Sequence, residues 1–67
     1  MTLGERIKQL RNEAGLTQKE FAAKLNIGLS TLACYETDKR EMPFETLILI
    51  ADFFDVSTDF LLNRKDY

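Results

Sequence analysis

The stretch that decides the fold runs from Thr17 to Glu36 and reads T-Q-K-E-F-A-A-K-L-N-I-G-L-S-T-L-A-C-Y-E. It contains two short helical patterns, one on each side of the N-I-G turn at 26–28. Thr17 and Glu20 have the spacing of a capping box, in which each side chain satisfies a free backbone N–H of the first helical turn. The apolar residues of the first pattern fall on one face: Phe21, Ala22 and Leu25.

The second pattern has an apolar side and a thin polar side. Leu32 and Tyr35 would be buried, whereas Ser30, Cys34 and Thr37 recur at i, i+4 and i+7 on the opposite face. Two short helices joined by a turn of three or four residues are typical of a helix-turn-helix. This stretch therefore predicts one.

The remaining chain predicts three more helices around this unit. Leu3, Ile7, Leu10 and Ala14 form an apolar stripe that predicts a first helix at 3–14, which Gly4 weakens and Gly15 ends. The central helices are expected at about 18–25 and 29–37. A fourth begins with Pro43 in its first turn, carries Phe54 in its core stripe and ends at Asp55. A fifth covers about 58–62 after the cap Ser57 and buries Phe60. Residues 63–67 are expected to be a frayed polar tail.

Composition limits the class of protein. Sixty-seven residues allow one small domain, 1–67, with a modest core. The chain has one cysteine and no histidine, so neither an internal disulfide nor a common zinc site is expected, and no enzyme, cofactor or small-molecule ligand is indicated. Without a signal peptide or a long apolar run, the location is expected to be cytoplasmic, with no membrane association.

The net charge of −2 is unevenly distributed. Residues 1–40 contain seven Lys or Arg and five Asp or Glu, whereas residues 41–67 contain two and six. The basic part includes the two-helix unit, and the acidic part would face away from a polyanion. An ordinary solvated surface explains the same counts, so charge alone does not decide between the two.

The motifs together are similar to those of the Cro/C1-type, XRE-like helix-turn-helix family, which includes phage repressors. The resemblance covers about residues 4–62. It depends on G-L-T-Q at the start of the second helix, Y-E at the end of the third, and A-D-F-F-D-V-S before the last. It implies an all-α, five-helix, lambda-repressor-like domain, a homodimer in most members, and double-stranded operator DNA as the ligand.

The resemblance also implies functional positions. Members aim the glutamine at position 18 at the DNA backbone and an adjacent base edge; a plain solvated residue is the alternative. Arg11 and Glu36 match an ion pair that ties the first helix to the end of the third, and Arg11 would also lie near a phosphate. Lys39 and Arg40 would meet the flanking backbone or serve only solvation. The full set of predicted DNA contacts is Thr17, Gln18, Gly28, Leu29, Ser30, Thr31, Cys34, Thr37, Lys39 and Arg40.

The third helix departs from the family pattern. Gly28 is a weaker cap than the usual Ser or Thr, and Leu29 and Cys34 stand where family members often carry Arg, Gln, Lys or Asn. No side chain here can bond a guanine or adenine through two hydrogen bonds, which predicts modest specificity that favours A·T pairs. Leu29 has core packing as an alternative, and Cys34 is either a redox switch or a tolerated small residue.

The fourth helix carries apolar residues away from its core stripe. Leu49 and Phe53 are four residues apart with acidic neighbours, and Phe44 and Leu62 are candidates to join them; the alternative is scattered exposed residues. We interpret these four as a homodimer interface. The sequence thus predicts a DNA-binding transcriptional regulator, most simply a repressor on a palindromic operator. The alternative is a protein-interaction module, antitoxin-like or inhibitory, that uses the same fold without specific DNA recognition.

Overall fold

Five helices make up the fold in the computed structural model, which describes residues 1–66; Tyr67, part of the predicted tail, lies outside them. The helices are α1 (Leu3–Glu13), α2 (Gln18–Leu25), α3 (Leu29–Glu36), α4 (Phe44–Phe54) and α5 (Thr58–Leu61). Residues 1–66 contain no strand. The predicted all-α, five-helix class is confirmed. The longest helices, α1 and α4, have 11 residues, too few to cross a bilayer.

Capping residues set the helix boundaries. Thr2 and Thr17 each form a complete capping box, and the Ser57 hydroxyl accepts a hydrogen bond from the Phe60 N–H. Gly15 and Asp55 adopt the left-handed conformation after α1 and at the end of α4.

Several predicted boundaries were wrong by one residue. The helices α1, α3 and α5 end one residue early, because Ala14, Thr37 and Leu62 are their C-caps. Ala14 is exposed and does not extend the core stripe of α1. Pro43 precedes α4 as its N-cap and is not in its first turn.

Every helix contributes to a single core. Its buried residues are Ile7, Phe21, Ala22, Leu25, Leu32, Leu47, Ile50, Ala51 and Leu61. Phe54, predicted in the core stripe of α4, is only partly buried and packs against Phe21, with 5.3 Å between ring centroids. Phe60, also predicted to be buried, is partly exposed beneath the Arg6 guanidinium, 4.1 Å from its ring centroid.

Gly4 has a different role from the one predicted. It is buried where α1 crosses the end of α3, and a Cβ at this position would lie 2.4 Å from the Tyr35 carbonyl oxygen and 2.6 Å from that of Glu36. Real Cβ atoms do not approach other atoms so closely, so the absence of a side chain permits the contact. Gly4 therefore stabilises the packing of α1 on α3 instead of only weakening its helix.

The start of the predicted tail is fixed. Asn63 accepts hydrogen bonds from Arg6 Nε and Nη2 (3.1 and 2.8 Å), and its amide nitrogen donates to the Met1 carbonyl oxygen (2.8 Å). The expectation of a tail frayed from residue 63 was wrong, because side-chain hydrogen bonds hold Asn63 to Arg6 of α1 and to Met1.

Candidate nucleic-acid interface

The start of α2 is held by its capping box. The Thr17 hydroxyl accepts from the Glu20 N–H (3.1 Å), and the Glu20 carboxylate accepts from the Thr17 N–H (2.8 Å). Hydrogen bonding of the Glu20 carboxylate to Thr17, above all to its backbone N–H, lowers the pKa of this exposed carboxyl. The first backbone hydrogen bond of α2 runs from the Phe21 N–H to the Thr17 carbonyl oxygen (3.0 Å). The N–H groups of Gln18 and Lys19 precede this bond and point out of the end of the helix.

The turn between α2 and α3 follows the predicted chemistry. Asn26 ends α2 in the left-handed conformation, and the Ile27 N–H donates to the Ala22 carbonyl oxygen (3.0 Å) while its side chain packs against the core. Gly28 is the N-cap of α3 with an ordinary extended backbone (φ −70°, ψ 150°) and no side-chain cap. The backbone at 28 therefore permits a side chain that the sequence lacks.

The two sides of α3 differ sharply. Its inner side buries Leu32, Tyr35 and Glu36. The outer side presents small groups: Ser30 and Thr37 are exposed and Thr31 and Cys34 are partly buried. The Thr37 hydroxyl donates to the Ala33 carbonyl oxygen (2.8 Å), so its proton is already used.

Leu29, for which core packing was an alternative, is 49% exposed and lies outside the core, so that alternative was wrong. Leu29 is the first residue of α3, directly after the N-cap Gly28, and about half of its surface is exposed. The outer face of α3 thus offers hydroxyl, thiol and apolar groups and no planar pair of donors and acceptors.

A buried ion pair fixes the inner side of α3. Arg11 on α1 donates from Nε to Glu36 Oε2 (2.6 Å) and from Nη2 to Glu36 Oε1 (3.1 Å). Its Nη1 donates to the Leu16 carbonyl oxygen (2.8 Å). Both residues are buried, and Gln18 Nε2 donates to the same Glu36 Oε1 (3.1 Å). The structure therefore brings Arg11, Gln18 and Glu36, three residues singled out from the sequence, into one network.

The loop after α3 is held by an acidic residue that sequence analysis missed. Asp38 is left-handed (φ 59°) and accepts from the Gly4 N–H (3.0 Å) and the Thr2 hydroxyl (2.5 Å). Its position just after a predicted helix, together with the tolerance of Asp for this conformation, was the available signal. Lys39 and Arg40 follow it and are exposed, and the Lys39 N–H donates to the Cys34 carbonyl oxygen (2.9 Å).

Of the four apolar residues predicted as one interface, three occupy two sides of α4, and Leu62 is the C-cap of α5. Phe44, which is 81% exposed, lines a groove of about 420 Å³ together with Leu62 and Arg40. Leu49 lies about 140° further round the helix. Phe53 follows on that side; it is 40% exposed and its ring packs edge-on against Phe21 at 5.3 Å between centroids.

A single patch containing all four residues was therefore wrong. Ile48, which was not among the predicted residues, is exposed one helical turn after Phe44 and so lies on the same side of α4.

Comparisons with known proteins agree with this architecture. The family model described as helix-turn-helix matches residues 7–61. The chain is 47% identical over 66 residues to the HTH-type transcriptional regulator ImmR of Bacillus subtilis (strain 168), covering 98% of this chain and 52% of that protein. It is 34% identical over 65 residues to the immunity repressor protein of Bacillus phage phi105, covering 97% of this chain and 45% of that protein. The chain thus spans about half the length of these relatives.

A solved structure shares the fold. The P22 c2 repressor protein in complex with a synthetic operator superposes with a TM-score of 0.87, covering 97% of this chain and 98% of that one, at 22% identity.

Proposed function

This chain belongs to the helix-turn-helix family of the Cro/C1 type, and from that premise we propose that residues 1–67 form one domain that binds operator DNA and represses transcription. In this proposal α3 lies in the major groove and α2 crosses above it. The location would then be cytoplasmic, with the DNA.

The observation that carries the proposal is the asymmetry of α3. Its inner side is buried and ion-paired, whereas its outer side is exposed, narrow and lined by small side chains. An α-helix with its side chains is about 10–12 Å in diameter, so a major groove about 12 Å wide accepts it closely when the facing side chains are small. Ser30, Cys34 and Leu29 would then touch base edges or the thymine methyl group.

Two sets of groups flank the outer face of α3 and are suited to binding DNA phosphates. The open N–H groups at the start of α2, beside Thr17 and Gln18, favour an anion. Lys39 and Arg40 extend beyond the other end of α3, in a loop that Asp38 holds against α1. These contacts would set the register of α3 and supply most of the affinity, while α3 itself would add modest sequence preference.

Selection of binding sites from random DNA, followed by affinity measurements at several salt concentrations, tests the proposal. We expect a palindromic site rich in A·T pairs at the half-site centre. Arg40→Ala should reduce the slope of log affinity against log salt by about one unit. The exposed Arg64 lies in the acidic half, so Arg64→Ala is a matched control that should leave the slope unchanged. Failure to enrich any sequence, with no salt-dependent binding, would favour the protein-interaction alternative.

We propose that two copies pair through the groove side of α4. Phe44 and Ile48 are exposed one turn apart on α4, and the exposed Leu62 lines the groove beside Phe44. A second copy would cover these three apolar residues, and a symmetric dimer suits a palindromic site. Phe44→Glu with Ile48→Glu should give folded monomers that bind DNA poorly. Leu49→Glu, on the other side of α4, is the control and should still dimerise. Sedimentation that shows monomeric wild type both free and on DNA, or loss of the dimer only with Leu49→Glu, would contradict this interface.

A further inference from the structure

We propose that Glu36, besides pairing with Arg11, is a positioning residue that fixes the side-chain amide of Gln18 for DNA contact. The proposal rests on the DNA-binding function proposed above. It adds that Glu36 sets the orientation in which the Gln18 side chain meets a base.

The carboxylate of Glu36 is held in a fixed orientation. Its side chain is only 1% exposed, and two N–H groups of the planar Arg11 guanidinium bond its two oxygens (2.6 and 3.1 Å). The third guanidinium nitrogen bonds the Leu16 carbonyl oxygen (2.8 Å), which fixes the arginine in turn. Oε1 of Glu36 is consequently fixed in place, and Gln18 Nε2 lies 3.1 Å from it.

This contact determines which way the amide of Gln18 faces. A carboxylate accepts hydrogen bonds and donates none, so it selects the NH₂ group of the amide and excludes the carbonyl oxygen. The Gln18 carbonyl oxygen is therefore turned away from Glu36, together with the second N–H of the same NH₂ group. A free glutamine would have to give up rotational freedom on binding DNA, whereas here that loss occurs on folding.

The orientation matters because Gln18 is chemically different from the other predicted contacts. Among the ten residues predicted to meet DNA, Gln18 has the only amide side chain. Its outward acceptor and remaining donor match adenine, which presents an N6–H donor and an N7 acceptor in the major groove. A phosphate oxygen could pair only with the remaining N–H of Gln18, whereas adenine can pair with both the N–H and the carbonyl oxygen. The fixed amide therefore favours an adenine at one position of the half-site.

A coupling experiment on the selected operator tests whether Glu36 acts through Gln18. Gln18→Ala is expected to weaken wild-type binding about tenfold, within the range of one base contact, and to remove the preference for adenine at one position. In an Arg11→Met/Glu36→Met background, where apolar groups replace the whole ion pair, the same change should cost less than twofold. An equal loss in both backgrounds would show that Glu36 only stabilises the fold.

An independent measurement on the free wild-type protein uses the chain's other glutamine as an internal control. Gln9 is exposed on α1, whereas Gln18 donates to Glu36. The ¹⁵N relaxation of the two side-chain NH₂ groups should give a high order parameter for Gln18 and a low one for Gln9. Equal, low values would overturn the proposal even if DNA binding is strong. This measurement needs neither DNA nor a variant, so it stays decisive if the double substitution fails to fold or the protein binds no DNA.

Discussion

The two sides of α3 are built on opposite principles. On the inner side, Arg11, Gly4 and Asp38 hold the helix and the loop after it through an ion pair, a backbone contact and two hydrogen bonds to the start of α1. On the outer side, Ser30 and Cys34 present small groups to the surroundings. The difference teaches that this fold fixes the position of α3 in detail, whereas the outer surface of α3 carries few groups that could distinguish one base from another.

That contrast separates stability from specificity. Changes on the inner side should act on folding, and Glu36 alone should also act on DNA contact directly, through Gln18. Changes on the outer side should act on base preference and leave folding alone. Four substitutions test this separation.

The largest effect is expected from breaking the buried ion pair. Arg11→Met leaves the Glu36 carboxylate buried without its charged partner, which typically costs about 3–5 kcal/mol. Small domains have total stabilities of about 5–15 kcal/mol, and at 67 residues this one is expected near the lower limit. The variant should be largely unfolded at 37 °C by circular dichroism.

The control for this prediction removes both charges. Arg11→Met/Glu36→Met replaces the pair with apolar groups and should recover much of the loss, because no charge is left stranded. A single Arg11→Met variant that melts within a degree or two of wild type would mean that the pair contributes no more than a solvated one.

The ion pair also shows what the sequence can and cannot predict. Arg11 and Glu36 are 25 positions apart, and no periodicity links them. Only the family resemblance predicted their pairing. The bond from Gln18 to Glu36 was not predicted, because it depends on how the start of α2 meets the end of α3.

A smaller but still large effect is expected at Gly4. Gly4→Ala places a methyl group against two backbone carbonyls of α3, which cannot rotate away as a side chain would. Overpacking of this kind costs about 1–3 kcal/mol, seen as a lower denaturant midpoint. Gly15→Ala is the control: its left-handed φ of 74° costs about 1–2 kcal/mol, but no atom lies within 4 Å of the new Cβ. A denaturant midpoint for Gly4→Ala equal to that of wild type would contradict the close contact.

The sequence pattern predicted the role of Gly15 but not the role of Gly4, because only the first of them has a local signal. A glycine that ends a helix has a local signal, the end of the apolar stripe. A glycine that admits another backbone has none, because its partner carbonyls belong to Tyr35 and Glu36, some thirty positions away. The two sides of α4 were missed similarly, since the prediction did not follow the helical rotation from Phe44 to Phe53.

On the outer side, the expected effect moves from stability to recognition. Cys34→Gln adds an amide at the partly exposed centre of the outer face of α3 and should change the free energy of unfolding by no more than about 0.5 kcal/mol. Site selection should show a changed or sharpened base preference at one position, worth about 1–3 kcal/mol. Cys34→Ala, which adds no hydrogen-bonding group, is the control and should keep the wild-type preference. An unchanged sequence with Cys34→Gln would show that this face does not read bases.

The smallest effect is expected where the outer face begins, at the N-cap of α3. Gly28 has no side chain to cap the helix, yet its φ of −70° suits any residue, and a Cβ there would lie 3.7 Å from its nearest neighbour, Thr31 Oγ1. Gly28→Ser supplies a hydroxyl that can accept from a free N–H of the first turn. We expect a gain of a few tenths of a kcal/mol from the cap and a comparable gain from a less flexible unfolded chain.

The two contributions at position 28 can be separated with Gly28→Ala, which restricts the unfolded chain equally but adds no hydroxyl. The denaturant midpoint should rise for Gly28→Ser relative to Gly28→Ala, with an unchanged slope of unfolding. Base preference should stay as in wild type, because the new hydroxyl would be bonded to the α3 backbone and unavailable to a base. If serine is no more stable than alanine, the start of α3 gains nothing from a capping side chain. The glycine would then be no weakness in the fold, and the contrast between the two sides of α3 would not extend to its first turn.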